Sequence, residues 1–236
     1  MIDMTVQHKE ESSIYLADDL IALYTAFRNQ VYSPRSVLYP SCGYDASPSV
    51  VFSNVTFVDV EAGNEGCVAK LRDAGLVAFK QDIRQYDPSE EHDLLILLNP
   101  AIPTLWASSH LKQGGYVLSN DYHGNASEMY SMQDAFSLLC TMNFAERDRR
   151  KSNNLVVVSR DLEGLFEPVK GAEEFEHFRP SDFKFEKMMV DSFVNQRMVN
   201  VDLGASFEEK WRAYREMMGE GMPFRKVADR YVFVKK

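Results

Sequence analysis

The chain has 236 residues, 45% of them hydrophobic and 26% charged, a composition typical of a globular protein rather than a disordered one. Its formal net charge of −9 disfavours non-specific nucleic-acid binding, because an acidic chain gains nothing from phosphate attraction and counterion release. The one dense basic cluster, "ERDRRK" at 146–151, is interpreted as a solvated turn.

The absence of a long apolar run and the polar N-terminal residues favour a protein with neither a membrane span nor a signal peptide. The three cysteines are scattered and form no CxxC pair, so the sequence indicates neither a disulfide framework nor a metal site. We therefore expect a cytoplasmic protein whose thiols are reduced.

The apolar spacing of residues 13–32 predicts a first helix, capped by Ser13 and ended by Ser33-Pro34. Strands and helices then alternate, which predicts βαβ units and a mostly parallel sheet. The predicted strands are Ser36–Pro40, Asn54–Val60, Leu76–Ile83, Asp93–Pro100 and Tyr116–Asp121. The predicted helices between and after them are Asn64–Gly75, Thr104–Lys112 and Ser127–Met142.

Two further strands are predicted at Asn143–Asp148 and Asn154–Arg160, and their short polar link favours antiparallel pairing. The alternation stops after Arg160, although a helix at Phe207–Gly221 and a strand at Arg230–Lys236 are still indicated. We therefore expect one domain at 1–160 and a C-terminal extension at 161–236, which acts as a sheet cover, a lid or a dimer contact.

The segment after the first strand, Pro40-Ser41-Cys42-Gly43, is made of small residues that let a backbone approach a ligand closely. It has one glycine, so it lacks the G-x-G-x-x-G pattern of dinucleotide-binding proteins. A cofactor loop and a plain strand-to-helix corner explain this segment equally well.

Polar residues follow the next three strands, where ligands bind in open α/β sheets. Asp59, with Glu61 as the nearby alternative, is placed to accept hydrogen bonds from a ribose. Asp82 is placed to bind an exocyclic amine, and Asn99 offers an amide at the mouth of the sheet. Each of these residues, taken alone, is also explained as a helix cap or a surface group.

Taken together and in order, these segments resemble the motifs of class I S-adenosylmethionine-dependent methyltransferases. "VLYPSCGYD", "TFVDVE", "KQDI", "DLLILLNP" and "LKQGGYVLSND" are similar to five successive motifs, and the resemblance covers residues 13–160. It implies a Rossmann-like, doubly wound α/β fold, with a mostly parallel seven-stranded sheet, an antiparallel final hairpin and a C-terminal appendage. Ser41 stands where the family has glycine.

The resemblance also implies S-adenosylmethionine as the cofactor and carries over a set of cofactor-binding positions. These are Pro40, Ser41, Cys42, Gly43, Asp45, Asp59, Val60, Asp82, Ile83, Asn99 and Pro100. No metal is expected.

Methyl transfer from a sulfonium is an in-line displacement that needs a base only when the acceptor keeps its proton. His123 and Tyr122, just beyond the fifth predicted strand, are the candidate catalytic residues; an ordinary loop histidine is the alternative. Cys42 is interpreted as structural, because no histidine lies near it in sequence.

The predicted function is methyl transfer to a small-molecule acceptor, without nucleic-acid or membrane partners and with a homodimer among the options for the extension. Two alternatives stay open. The first is a non-catalytic methyltransferase-like interaction module with a decayed cofactor site, and the second is a nicotinamide-dependent oxidoreductase.

Overall fold

The computed structural model describes residues 14–88, 91–145 and 154–236, so Ser13 and the basic cluster at 146–151 lie outside the described residues. The chain divides into two compact units. Unit 1 comprises Met1–Arg160 and Ala228–Lys236, and unit 2 comprises Asp161–Val227.

Unit 1 is built on an eight-stranded sheet with the order β3-β2-β1-β4-β5-β8-β6-β7. Strands β1 to β5 are parallel, β8 is antiparallel to both of its neighbours, and β7 is antiparallel to β6. The strands are β1 Val37–Pro40, β2 Val55–Asp59, β3 Val77–Lys80, β4 His92–Leu97, β5 Leu111–Ser119, β6 Phe136–Phe144, β7 Val156–Ser159 and β8 Arg230–Lys235.

The helices of unit 1 are α1 Asp18–Gln30, α2 Cys67–Asp73, α3 Thr104–Ser108 and α4 Asn125–Ser131. Together with the sheet they form the Rossmann-like α/β fold that the sequence predicts. The last two strands before unit 2 pair antiparallel as expected, although β6 spans Phe136–Phe144 and not Asn143–Asp148. The sheet has one strand more than expected, because residues 230–235 lie between β5 and β6 and satisfy the hydrogen-bonding edges of both. The C-terminal strand therefore belongs to unit 1, not to the extension expected at 161–236.

Three connections differ from the predicted pattern. The helix expected at Thr104–Lys112 ends at Ser108, and strand β5 begins at Leu111 instead of Tyr116. The helix expected at Ser127–Met142 ends early, and Phe136–Phe144 forms strand β6 instead, because its short apolar run fits a slot between two strands as well as a helix face. A strand-to-helix corner is one of the two explanations of the segment after β1. The structure has the 3-10 turn Ser47–Val50 between β1 and β2, and no α-helix there.

The core of unit 1 lies between α1 and the sheet. Leu23 and Phe27 of α1 pack against buried side chains of β1, β4, β5, β6 and β8. The whole of β4 is buried, as expected for an unbroken apolar strand covered on both faces. Each fully buried large side chain stabilises the fold by about 1.5–3 kcal/mol.

Unit 2 is helical. It contains α5 Ala172–Phe178, α6 Pro180–Asn195 and α7 Phe207–Met218, packed around a separate cluster that includes Phe175, Val190 and Trp211. Helix α7 begins with a capping box and ends at Gly219, whose φ is +70°. This agrees with the helix and glycine stop that the sequence predicts for residues 207–221.

Candidate cofactor site at the ends of the parallel strands

A cleft of about 720 Å³ opens at the carboxyl ends of β1 and β4. The strand order reverses between these two strands, since β2 and β3 continue on one side and β5 on the other. Such a switch point is where open α/β sheets bind ligands. Five parts of unit 1 line the cleft: the turn after β1, the beginning of α1, residues 64–70 around the start of α2, the end of β4 and the first residue of β8. We call it the switch-point cleft.

The turn after β1 keeps a glycine-type backbone although it contains a serine. Ser41 has a φ of +52° and Gly43 a φ of +55°, both in the left-handed region. A non-glycine residue there costs on the order of 1 kcal/mol, and the Ser41 amide anchors the turn by donating to the Val58 carbonyl at 2.9 Å. The side chain of Asn64 lies 3.4 Å from where a Cβ would stand on Gly43, so the turn passes close to the wall of the cleft.

Asp59 lies buried behind this turn and holds it in place. Its Oδ2 accepts from the Gly43 amide at 3.0 Å, and its Oδ1 accepts from the Glu61 amide at 2.6 Å. Glu61 is itself engaged, since it accepts from the Val68 amide at 3.0 Å and pairs with Lys80 at 2.5 Å, a contact that lowers the pKa of its carboxyl. Neither carboxylate is among the groups lining the switch-point cleft.

Asp82 is bound by its own neighbour. Both the backbone and the guanidinium of Arg84 donate to its carboxylate, and these hydrogen bonds lower the pKa of Asp82 to about 2. The same guanidinium lies 4.1 Å from the ring centre of Trp106. Ile83 is buried beside this group and Val60 is half exposed, and none of these residues lines the switch-point cleft.

The Asn99-Pro100 turn separates two clefts. Asn99 has a φ of +53° and lines the switch-point cleft. Its amide donates to Asn120 Oδ1 at 3.1 Å, and the Asn120 side-chain amide donates to Asn99 Oδ1. Pro100 and His123 line a second cleft of about 520 Å³, while Tyr122 is exposed and packs edge-on against His123. The two clefts are thus neighbours, because Asn99 lines the first and Pro100, the next residue, lines the second.

Charged side chains of both signs line the switch-point cleft: Asp19, Asp45, Lys70 and Arg230. Asp45 accepts from the Tyr39 hydroxyl at 3.2 Å and from the Ser47 amide at 2.9 Å, and burial raises its pKa.

The beginning of α1 is tied to this wall by backbone hydrogen bonds. The Tyr15 amide donates to the Tyr44 carbonyl, and the Ala46 amide donates to the Tyr15 carbonyl, both at 2.9 Å. The cleft therefore has a fixed wall carrying two acids.

Cys42 is buried at the same turn, and burial raises the pKa of its thiol well above the ordinary range. A neutral thiol is a poor nucleophile, which agrees with its interpretation as structural. Across residues 14–88, 91–145 and 154–236, no group of three or more His, Cys, Asp or Glu side chains is arranged to hold a metal ion. Over the same residues, no helix is long and apolar enough to span a membrane.

The cleft brings together only part of the set named from the sequence: Ser41, Cys42, Gly43, Asp45 and Asn99. Six others lie outside its lining: Pro40, Asp59, Val60, Asp82, Ile83 and Pro100. Sequence reasoning missed Asp19, Lys70 and Arg230, which lie on predicted helices and a predicted strand without a motif. For Arg230 the only usable signal was its place at the start of an apolar strand.

No protein-family model matches this chain, and no curated protein matches it. Among solved structures, one similar to it is the N-methyltransferase NodS from Bradyrhizobium japonicum WM9 in complex with S-adenosyl-L-homocysteine, with 13% identity, 60% of this chain and 83% of that chain covered, and a TM-score of 0.41. A SAM-dependent methyltransferase from Thermotoga maritima, described as a possible histamine N-methyltransferase, has 12% identity, the same coverage and a TM-score of 0.43. Magnesium protoporphyrin IX methyltransferase from Synechocystis PCC 6803 with bound SAM has 16% identity, 60% and 75% coverage, and a TM-score of 0.41. At these identities and TM-scores the likeness carries no functional conclusion, which has to come from the cleft itself.

Proposed function

We propose that the chain binds S-adenosylmethionine in the switch-point cleft and transfers its methyl group to a small-molecule acceptor. The observation that carries the proposal is the mixed charge of a cleft at the strand-order reversal, with two acids and two bases on its walls. The methionine part of the cofactor is a zwitterion, and its sulfonium adds a second cation, so both signs of charge have a counterpart there.

The same features argue against a nicotinamide dinucleotide. Its pyrophosphate is held at the N-terminus of an α-helix that directly follows the first strand. Here residues 41–54 contain only a 3-10 turn, so the first strand is not followed by such a helix N-terminus. The zwitterionic ligand therefore fits better.

In this proposal the bound cofactor supplies an activated methyl group, and the chain supplies position. The Ser41–Gly43 turn and Asn99 border the first cleft, and the second cleft, lined by His123, receives the acceptor across the Asn99-Pro100 rim. His123 is exposed, which suits a group that accepts a proton from a bound acceptor and releases it to water.

Calorimetric titration of the full chain with S-adenosylhomocysteine, with NADH as the comparison, tests the cofactor. We expect binding of S-adenosylhomocysteine and none of NADH. For the acceptor, S-adenosylhomocysteine formation is measured with pools of amines, thiols and hydroxy compounds. We expect His123→Gln to lower turnover with the active pool at least tenfold while the affinity for S-adenosylhomocysteine stays the same.

A non-catalytic interaction module is the second candidate, and one observation favours it. The carboxylates of Asp59, Glu61 and Asp82 are all engaged by donors of the chain itself. No binding of either ligand at millimolar concentration would support this candidate and contradict the first.

A further inference from the structure

The first residue of the last strand, Arg230, lies at the ligand-binding edge of the sheet. Strand β8 runs antiparallel to β5, with Tyr231 opposite Ser119, and Ser119 in turn lies opposite Leu97 of β4. The beginning of β8 is therefore level with the carboxyl ends of β4 and β5. Residues that follow unit 2 in the chain thus return to the cleft.

Side-chain alternation directs Arg230 toward the face of the sheet that α1 covers. Val232, two residues further on, packs in the same cluster as Leu23 and Phe27 of α1. Residues i and i+2 of a strand point to the same face, so Arg230 shares this face. Tyr39 and Leu98, which line the switch-point cleft, belong to that cluster as well.

Arg230 is only 8% exposed, yet it lines the cleft. Its Nη1 donates to the Asp229 carbonyl at 2.5 Å. A guanidinium presents five donors in a planar fork and binds carboxylates through two parallel hydrogen bonds. A ligand that reaches the floor of this cleft therefore meets a group suited to a carboxylate.

Two acids lie on the wall formed by α1 and the β1 turn. Asp19 is in the first turn of α1 and Asp45 is in the turn after β1. A guanidinium and carboxylates around one cleft are complementary to an α-amino acid, whose carboxylate and ammonium are both attached to the α-carbon. Gly43, Asn64 and Lys70 also line the cleft, and they are left to border the nucleoside.

We propose that Arg230 binds the carboxylate of the cofactor's methionine part, with Asp19 and Asp45 facing its ammonium group. This inference rests on the proposed function, since it assigns the orientation of the same cofactor in the same cleft. It makes the C-terminal strand part of the binding site, although the motifs that resemble those of the methyltransferases end before this strand.

The test compares two ligands that differ in the amino-acid part. S-Adenosylhomocysteine carries it, and 5′-methylthioadenosine lacks it but keeps the nucleoside and the sulfur. We expect the wild-type chain to bind S-adenosylhomocysteine at least tenfold more tightly. Arg230→Met is expected to lower the affinity for S-adenosylhomocysteine at least tenfold and to change the affinity for 5′-methylthioadenosine less than twofold. Arg35→Met, at an exposed arginine outside the cleft, is the matched control and is expected to change neither.

Equal weakening of both ligands in Arg230→Met would assign Arg230 a merely structural role and overturn the inference. Wild-type binding without preference between the ligands would also overturn it, while leaving the proposed cofactor intact. If wild type binds neither ligand, the proposed function itself fails. Should Arg230→Met not fold, Arg230→Lys takes its place in the test, because lysine keeps the charge without the planar fork. We expect Arg230→Lys to lower the affinity for S-adenosylhomocysteine and to leave the affinity for 5′-methylthioadenosine unchanged.

Discussion

At the scale of single residues, the shape of the cofactor turn depends on a buried carboxylate. Asp59 is 6% exposed and is the acceptor for two backbone amides, those of Gly43 and Glu61. A hydrogen bond to a charged group contributes about 1.5–3 kcal/mol, and a buried amide left without its partner costs a similar amount. Ser41 and Gly43, on either side of Cys42, have left-handed backbone angles. The hydrogen bonds to Asp59 therefore also stabilise an unfavourable backbone conformation.

Asp59→Ala is therefore expected to lower the free energy of unfolding by about 3 kcal/mol and to abolish binding of S-adenosylhomocysteine. Urea unfolding followed by circular dichroism measures the first effect and calorimetry the second. Asp82→Ala is the control, because its partner is a largely exposed arginine and such pairs contribute little to stability. Equal losses in the two variants would contradict the bracing role of Asp59.

A second residue-scale prediction concerns pH. His92 begins β4, is buried, and its Nε2 lies 3.1 Å from the Tyr86 hydroxyl. Burial, and then the neighbouring charge of His110, lower the pKa of His92 to about 4. The unfolded chain has a pKa of about 6.5 at this residue and so binds a proton at higher pH than the folded chain does. The folded state is fully stable above about pH 6.5 and loses stability as the pH falls toward 4.

The loss from this group between pH 7 and pH 4 is expected to be about 3 kcal/mol, since each unit of pKa difference is worth about 1.4 kcal/mol. Urea unfolding at several pH values measures it. His92→Gln is expected to flatten the dependence in this window, whereas His123→Gln, at an exposed histidine, leaves it unchanged. An unaltered pH dependence in His92→Gln would show that other groups carry it.

At the scale of elements, burial decides which parts were predictable. The strands β1, β2 and β4 lie within one to three residues of their predicted bounds, because short apolar runs between turn residues have few other solutions. Strand β6 was not predictable from its own sequence. Its apolar run pairs with β8, about 90 residues further along the chain, and with β7, and only those partners make it a strand.

Helix α7 shows the opposite case, in which local chemistry is sufficient. Ser206 accepts from the Glu209 amide, and Glu209 in turn accepts from the Ser206 amide at 2.8 Å. We expect Ser206→Ala to destabilise unit 2 by about 1 kcal/mol, because the Glu209 amide loses the side-chain oxygen to which it donates. Ser206→Asp keeps an acceptor at the cap and is expected to retain most of the stability. Fluorescence of Trp211 during urea unfolding reports both, and a loss as large in Ser206→Asp would contradict the capping explanation.

At the scale of the whole molecule, the switch-point cleft is assembled from distant parts of the chain. Its lining comes from residues 15–20, 39–45, 64–70 and 98–99, and from residue 230. Motif spacing identified the turn at 41–43 and Asn99, since these are local features. It also selected Asp59 and Asp82, but whether a carboxylate faces a ligand or a backbone amide depends on loop geometry that spacing does not encode. Arg230 enters only because unit 2 is inserted before the last strand.

The two units offer separate probes of this organisation. All three cysteines, Cys42, Cys67 and Cys140, are buried in unit 1. The two tryptophans are divided, with Trp106 in unit 1 and Trp211 buried in the separate cluster of unit 2. In a Trp106→Phe variant, thiol labelling therefore reports the unfolding of unit 1, and fluorescence reports the unfolding of unit 2.

A ligand that binds only the folded state stabilises it by about 2.7 kcal/mol at a concentration one hundred times its Kd. If S-adenosylhomocysteine binds in the switch-point cleft, that gain belongs to unit 1, which contributes every described residue of the lining. We therefore expect the ligand to move the urea midpoint of thiol exposure in Trp106→Phe and to leave the Trp211 midpoint unchanged. Equal movement of both midpoints would show that the units unfold as one, and movement of the Trp211 midpoint alone would place the ligand in unit 2. The expected asymmetry arises because the residues that line the cleft belong to unit 1, whereas Trp211 is buried in the hydrophobic cluster of unit 2.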